Sequence, residues 1–539
     1  MNRFGLSRRA SLKLAGTTLG ALLVEAKLGK LAYAKSADTL VIGMDISDTN
    51  SFDPGHQFVY SAPITMHATY ETLVTMAPGQ YTTLLPLLAE SWELADDGGA
   101  LVFHLRKDVK FTSGNEMTAT DVQFSFDRLR NLKDNPAELA SNIASVAVID
   151  PHTVKIVMVD KSQPLLNLLV GPTFVISDSK VVQAHGGTSA ADADKTDTAN
   201  KWLDHQSAGT GPYILSQWEP NAQIVLDRNE GYWREKAPFK RIVIQHIPES
   251  ATQLLTLERG DIEAAMNLTS AQLDGLKDNK DVNLIEGTSL DFVYMTLTSG
   301  KELSPELSIK EARQAIAYAI DYDGMIQGLE GGYATRPPSF IPNGLGGATA
   351  ELTKEIGYRH DPDKAKSLLA KAGLEKGFSF DLYYGDASVA GTTYQLVAQK
   401  LQSDLAAVNI TANLHPLDQS AARSKFRAAE LPSFITFWNP DGPEAWTWAS
   451  ATVQRVAKRV RWTGAPLPEV TELVNKAGAA HSPEEQDRYY RQYMEALIDQ
   501  ANYIVLFQPI YRVATRTSIK GWKLTAAGWQ VDLYDVKPA

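Results

Sequence analysis

The 539-residue chain contains no cysteine, which excludes disulfides, thiolate metal sites, a cysteine nucleophile and lipid attachment at a cysteine behind a leader. An excess of positive charge is also missing: 52 Lys and Arg stand against 63 Asp and Glu, a formal net charge of -11. A nucleic-acid or anionic-membrane partner would need the opposite balance. The apolar stretch Leu14 to Val24 is too short to span a bilayer and runs into Glu25, Lys27 and Lys30. No G-x-S-x-G, no G-x-x-x-x-G-K and, among ten histidines, no H-E-x-x-H occurs, so a nucleophile elbow, a phosphate loop and a zinc-protease helix are excluded. Ser177-Asp-Ser-Lys180 fits S-x-x-K without any K-T-G partner, and Gly344-Leu-Gly346-Gly347 follows a proline-rich loop rather than a strand. Neither enzymatic activity nor a metal or other cofactor is expected.

What the chain does have starts with residues 1–34. Ser7-Arg8-Arg9-Ala10-Ser11-Leu12-Lys13 is similar to a twin-arginine export signal, with Ser11 where that pattern prefers Phe. The apolar stretch follows, and Ala32-Tyr33-Ala34 supplies a small-x-small cleavage site. The order n-region, apolar region, cleavage site predicts a signal peptide ending at Ala34, with Arg8 and Arg9 as its address. A mature protein beginning near Lys35 is expected in the periplasm.

The remaining length, about 500 residues, exceeds one hydrophobic core and predicts two or three domains. Leu40–Met44, Leu101–Arg106, Thr153–Met158 and Ile242–Ile247 read as strands, the first followed by the turn cluster Ser47-Asp48-Thr49-Asn50. Helices are predicted over Ser308–Ala319, from Asp361-Pro-Asp363 through Ala372 with Gly373 behind it, and from the capping box Ser482-Pro483-Glu484-Glu485. Strands and helices alternate from about Asp361 to Leu417, an α/β pattern with crossover helices. The stretch Gly186–Asn200, rich in Ala, Asp and Thr, reads as a solvated loop.

Trp438-Asn-Pro-Asp441-Gly-Pro-Glu-Ala-Trp446 sets one carboxylate between indoles, flanked by Phe434, Phe437, Trp448 and Trp462. Two prolines and Gly442 end any strand there, so Asp441 is expected on a loop leaving a strand from Phe434 to Trp438. A carboxylate in such surroundings needs a cationic or donor partner. It either holds a ligand amine against an aromatic wall or caps a turn beside core tryptophans.

Several blocks resemble one family. Ala89-Glu90-Ser91-Trp92-Glu93, Phe103-His-Leu-Arg-Lys-Asp108, Thr120-Asp-Val-Gln-Phe-Ser-Phe126, Gly209-Thr-Gly-Pro-Tyr213, Arg228-Asn-Glu-Gly-Tyr-Trp233, Arg313–Asp321 and Leu506-Phe-Gln-Pro509 stand in this chain in the order found in that family. The chain is identified by them as similar to the family 5 solute-binding proteins of ATP-binding-cassette importers, the dipeptide, oligopeptide and nickel type. The resemblance implies a type II, two-lobed periplasmic binding protein fold of the large peptide-binding class with an extra small domain. One lobe is expected over 38–297 plus 507–539, with the small domain at about 71–199, and the other over 298–506. The chain would then cross near Thr298 and Phe507.

By the same resemblance, Trp438-Asn439-Pro-Asp441 occupies the W-x-x-D position whose aspartate holds a peptide's α-ammonium, and Ser47, Asp48 and Thr49 follow the strand where the first lobe touches its ligand. Trp438, Asn439, Trp446, Tyr384 and Asp386 complete the expected binding set. One departure stands out: dipeptide-binding members carry an arginine after the strand matching Phe378–Tyr384, to clamp the free carboxylate, whereas this chain has Gly385-Asp386. The basic run Arg455, Lys458, Arg459, Arg461 either replaces it or forms a solvated helix face. The implied function is that of a monomeric receptor handing a short peptide or amine-bearing peptide-like solute to a membrane permease, with no nucleic-acid partner. A receptor of the same fold for an oligosaccharide or sugar conjugate, stacked on Trp438, Trp446, Trp448 and Trp462, is the alternative.

Overall fold

In the computed structural model, the apolar run Leu40–Met44 is buried along its whole length, since an uninterrupted hydrophobic stretch leaves no side for water, whereas Thr153–Met158 alternates between buried and partly exposed positions. The residues described are 36–79, 83–95, 98–161, 163–438, 442–480, 482–525 and 530–539. The four strands read from the sequence form as Thr39–Met44, Ala100–Leu105, Thr153–Met158 and Arg241–His246. The three helices form as Lys310–Ala319, Pro362–Lys371 and Pro483–Gln500. Their starts follow the capping chemistry: Asp361 accepts a hydrogen bond from the Lys364 amide (2.9 Å) and Ser482 one from the Glu485 amide (3.2 Å).

One twelve-stranded sheet carries the fold. Its second half runs Ile410–Leu417, Phe378–Gly385, Ser433–Trp438, Phe292–Leu297. The first three of these are mutually parallel. Tyr394–Ala406 and Gln419–Arg427 are the crossover helices between them, in the α/β arrangement the alternation predicts. The first half runs Ala264–Ala265, Thr39–Met44, Arg241–His246, Gln223–Arg228, Tyr213–Glu219. Each half buries its own apolar cores.

Between the halves lies the strand Tyr503–Arg516. Tyr503–Phe507 pairs with Phe292–Leu297, while Ile510–Arg516 pairs with Val282–Thr288. The chain therefore passes between the halves at 289–291 and again at Gln508-Pro509. The first passage falls ahead of the Thr298 position read from the sequence, because Phe292–Leu297 is already hydrogen-bonded to Ser433–Trp438. The two passages are stapled together: the Ser289 hydroxyl donates to the Pro509 carbonyl (2.6 Å) and Gln508 Nε2 donates to the Ser289 carbonyl (2.7 Å).

A separate four-stranded antiparallel sheet, in the order Ala89–Leu94, Ala100–Leu105, Thr153–Met158, Ile143–Asp150, packs under the helix Ala119–Leu132 with its own core. Arg128 on this helix is buried between two carboxylates, donating to Asp53 (2.7 and 2.6 Å) and Asp197 (2.7 and 2.9 Å). Asp197 lies within the stretch read as a solvated loop. That stretch is instead pinned to the domain, with Ala193 and Ala199 buried as well. On the other side the same guanidinium holds the loop at Asp53, where a Cβ on Gly55 would stand 2.3 Å from Leu132 Cδ1. A side chain here would have to push the Leu132 methyl aside.

Removing Arg128 leaves two buried carboxylates uncompensated, a change that costs about 3–5 kcal/mol. Arg128→Ala is therefore expected to lower the urea midpoint by the corresponding amount. Retention of wild-type stability in equilibrium unfolding would refute the role given to this triad.

Candidate functional site

A cavity of about 330 Å3 opens between the two halves, at the lower end of the size range of small-molecule sites. Its second-half wall begins with Ser433–Trp438, where Phe434, Thr436 and Trp438 alternate onto one face. Tyr294, the register partner of Thr436, stands beside them. Two helices then add four guanidinium groups. In Gln419–Arg427 the buried Ala422 and Phe426 fix the inner face, and Arg423 and Arg427, one turn apart, both reach the cavity. In Arg455–Arg459 the buried Val456 and Ala457 do the same, and Arg455 and Arg459 line it.

Aromatic rings hold these guanidinium groups: Arg455 lies 4.9 Å from the centroid of Trp438, Arg423 5.5 Å from Phe437 and Arg459 5.4 Å from Phe426. A stacked guanidinium still presents its N–H edge. Burial, then the adjacent Arg455 and Arg427 charges, lower the pKa of Arg459. For Tyr294, burial raises the phenol while Arg459, Arg455 and Arg423 pull it down, so this hydroxyl sits within the field of three arginines.

The first-half wall is neutral by comparison. It consists of Gln57–Tyr60 with Pro63, the segment Asn135–Leu139, and Pro172 with Thr173, and Glu138 is the one acid among the described lining residues. Glu138 pairs with Arg455 across the opening (2.8 Å). A second contact joins the walls, Asn167 Nδ2 donating to Glu444 Oε2 (2.8 Å), and burial pushes the Glu444 carboxyl up. Gly442 passes so near that a Cβ there would meet Leu168 Cδ2 at 2.9 Å. A smaller cavity of about 220 Å3 adjoins the first through Glu138, Leu139 and Arg455, and Asn142, Gln163, Trp446 and Gln454 also line it.

Of the residues singled out by sequence, Trp438 lines the main cavity and Trp446 the smaller one. Asn439 and Asp441 lie outside the described residues, as do Arg8, Arg9 and Ala34. Ser47, Asp48 and Thr49 do not reach either cavity. Asp48 instead builds the wall from behind, accepting from the Tyr60 amide (2.9 Å) and from the Ser61 hydroxyl. Tyr384 is buried in a core, and Asp386 accepts from the Gln419 amide (2.7 Å), anchoring the start of the helix that carries Arg423. In the basic run, Arg455 and Arg459 face the cavity. Lys458 is exposed and Arg461 turns away to Glu302 and the Ala429 carbonyl. Trp448 and Trp462 are core residues and offer no face to a solute. Arg423 and Arg427 were not among the residues predicted. Their spacing beside Ala422 and Phe426 was the available signal, but it looks like any amphipathic surface helix.

Asp291, at the first passage between the halves, is fully buried. Its Oδ2 has no hydrogen-bond partner among the described residues, and burial raises its pKa to about 8. Burial and the nearby Asp291 and Asp48 push the Tyr60 phenol up as well. No group of three His, Asp or Glu side chains among the described residues is placed to hold a metal ion, and no helix among them is long and apolar enough to cross a membrane.

A carboxyl raised above its unfolded value favours folding fully below that value and disfavours it as pH rises toward the folded one. Wild type should therefore lose stability between about pH 4 and pH 8, at about 1.4 kcal/mol per unit while Asp291 alone dominates. Asp291→Asn should flatten this slope and raise the melting temperature at pH 8. An unchanged pH profile in calorimetry would contradict the assignment.

The family model for bacterial extracellular solute-binding proteins, family 5, matches residues 83–456. The chain is 29% identical over 510 residues to the probable D,D-dipeptide-binding periplasmic protein of Escherichia coli K12, covering 94% of this chain and 95% of that one. It is 27% identical to the dipeptide-binding protein of the same organism, with 98% of each chain covered. The crystal structure of a dipeptide-binding protein from Pseudoalteromonas sp. SM9913 with Met-Leu superimposes with a TM-score of 0.81 at 22% identity, covering 93% of this chain and all of that one.

Proposed function

Because this chain belongs to the bacterial extracellular solute-binding proteins of family 5, we propose that it is a periplasmic receptor that closes on a short peptide or peptide-like solute and delivers it to an ATP-binding-cassette importer. The observation that carries the reading is the cavity itself, formed by both halves of the sheet and bridged by Glu138–Arg455 and Asn167–Glu444. Among the described residues the chain passes between the halves at 289–291 and at Gln508-Pro509, and rotation about these passages would open and close the site. The relatives named for dipeptides, matched over nearly their whole length, support a solute of that size, as does the cavity volume.

In this reading Asp441 takes the solute's ammonium. The W-x-x-D spacing supports this, as does Trp438, three positions earlier, in the cavity wall. Arg423, Arg427, Arg455 and Arg459 supply what the absent family arginine would, a fork for the carboxylate. The two lobes are 36–288 with 510–539 and 292–507, the small domain lying within the first. The protein works as a monomer with a permease as its membrane partner, and its sequence holds none of the catalytic motifs sought. The sugar reading has less support, since Trp438 is already covered by Arg455 and Trp448 and Trp462 are core. Export by the twin-arginine route rests on Arg8-Arg9 and on cleavage after Ala34.

Titration calorimetry of the purified protein with dipeptides and with trisaccharides distinguishes the readings. One-to-one binding of a dipeptide, with a smaller radius of gyration in X-ray scattering, is expected. Binding of the sugar alone would overturn the proposal. Asp441→Asn should weaken a bound dipeptide by about 2–5 kcal/mol, roughly 30- to 4000-fold, and a loss under about fivefold would remove Asp441 as the ammonium partner. Replacing Arg8 and Arg9 by lysine should leave precursor in the cytoplasm, and undiminished periplasmic protein would refute the export route.

A further inference from the structure

Resting on the receptor reading above, we infer that the cavity selects a solute carrying at least two negative charges, an acidic peptide-like molecule rather than a neutral dipeptide. Four guanidinium groups line a space of about 330 Å3 together with a single described carboxylate, Glu138, which is hydrogen-bonded to Arg455. Among the described residues no carboxylate forms an ion pair with Arg423, Arg427 or Arg459. Arginine does not shed its proton in proteins, and Glu138 is the one carboxylate among the described lining residues, so an anion from outside would relieve the like charges gathered here. One α-carboxylate engages one fork, or bridges two, and leaves a cation with no anionic partner among the described residues.

The surroundings point the same way. Arg423 and Arg459 have their faces covered by Phe437 and Phe426, which leaves the N–H edges as the available surface, the geometry that carboxylate and phosphate oxygens match. The opposite wall presents Gln57, Tyr60, Asn135 and Thr173, groups able to hold a peptide backbone but not to neutralise a charge. A protein with a formal net charge of -11 gains nothing in solubility from concentrating arginines in one recess. A solute with a cationic side chain would be repelled by the same cluster.

The shared chemistry is a paired anion, whether a second carboxylate or a phosphoryl group, and the test has an arm for each. Calorimetry at low ionic strength would compare Ala-Ala, Ala-Lys, Glu-Glu and Ala-phosphoserine, with glutarate and inorganic phosphate as peptide-free anions. Glu-Glu is expected to bind at least about tenfold tighter than Ala-Ala, Ala-Lys more weakly than either, and the preference to shrink as salt is added. A phosphoserine peptide binding tighter than Glu-Glu would identify a phosphoryl group as the second anion. In Arg423→Gln combined with Arg427→Gln the ratio of Glu-Glu to Ala-Ala affinity should fall to near one. The lysine pair at these positions should restore part of it, since charge returns without the fork. Circular dichroism of the unliganded variants checks that they fold.

Equal affinity for Ala-Ala and Glu-Glu would overturn this inference while leaving the peptide receptor intact. Binding of glutarate or phosphate with no peptide bound would overturn the peptide reading and keep the anion site. If none of these probes binds at millimolar concentration, both fall.

Discussion

Everything else in this protein depends on one strand being shared. Tyr503–Arg516 completes the second half of the sheet with its first residues and the first half with its last, so neither half satisfies its backbone alone. Between these two sets of pairings Gln508 and Pro509 lie opposite Thr335 and Ala334, Pro509 having no N–H to give that ladder, and the Gln508 side chain bonds Ser289 on the other passage. The two passages are thus tied to each other as well as to their lobes. A cavity bounded by both halves lies between them, and in the receptor reading these two passages are the segments about which the halves would turn.

The electrostatics of the cavity are divided between its walls. Cations come from the second half, on two short helices whose inner faces are fixed by Ala422, Phe426, Val456 and Ala457. Neutral hydrogen-bonding groups come from the first, Gln57 and Tyr60 on a loop pinned by the Arg128 triad and by Asp48 behind Tyr60, Asn135 and Thr173 on two further segments. Glu138–Arg455 crosses the opening and is partly exposed, so it adds little to closure energy in water. Its role is to set the geometry in which the walls meet. A solute that neutralises the remaining guanidinium groups supplies the larger attraction.

Asp291 shows how position changes a residue's meaning. In the sequence it is an acid before the strand Phe292–Leu297 and invites no comment. In the fold it is fully buried at the passage between the halves with an oxygen lacking a partner among the described residues. Ser47, Asp48 and Thr49 show the reverse. The family resemblance implies ligand contact for the turn they form, while the Asp48 carboxylate serves the backbone of Tyr60, which lines the cavity. The arginine expected after Phe378–Tyr384 is replaced by Asp386, which anchors the helix bearing Arg423 instead.

Local chemistry determined the strands, the capped helices and the parallel α/β segment, because apolar periodicity and N-cap hydrogen bonds involve residues within a few positions of each other. The ordered family motifs and the missing catalytic motifs were legible for the same reason. The four-arginine wall was not. Arg423 and Arg427 are separated in sequence from Arg455 and Arg459 by the strand Ser433–Trp438, and they meet over that strand's face only once the second half of the sheet has assembled. Spacing within a helix says that two side chains share a face. Whether that face looks into water or into a cavity is decided by what packs opposite, and that belongs to the tertiary structure alone.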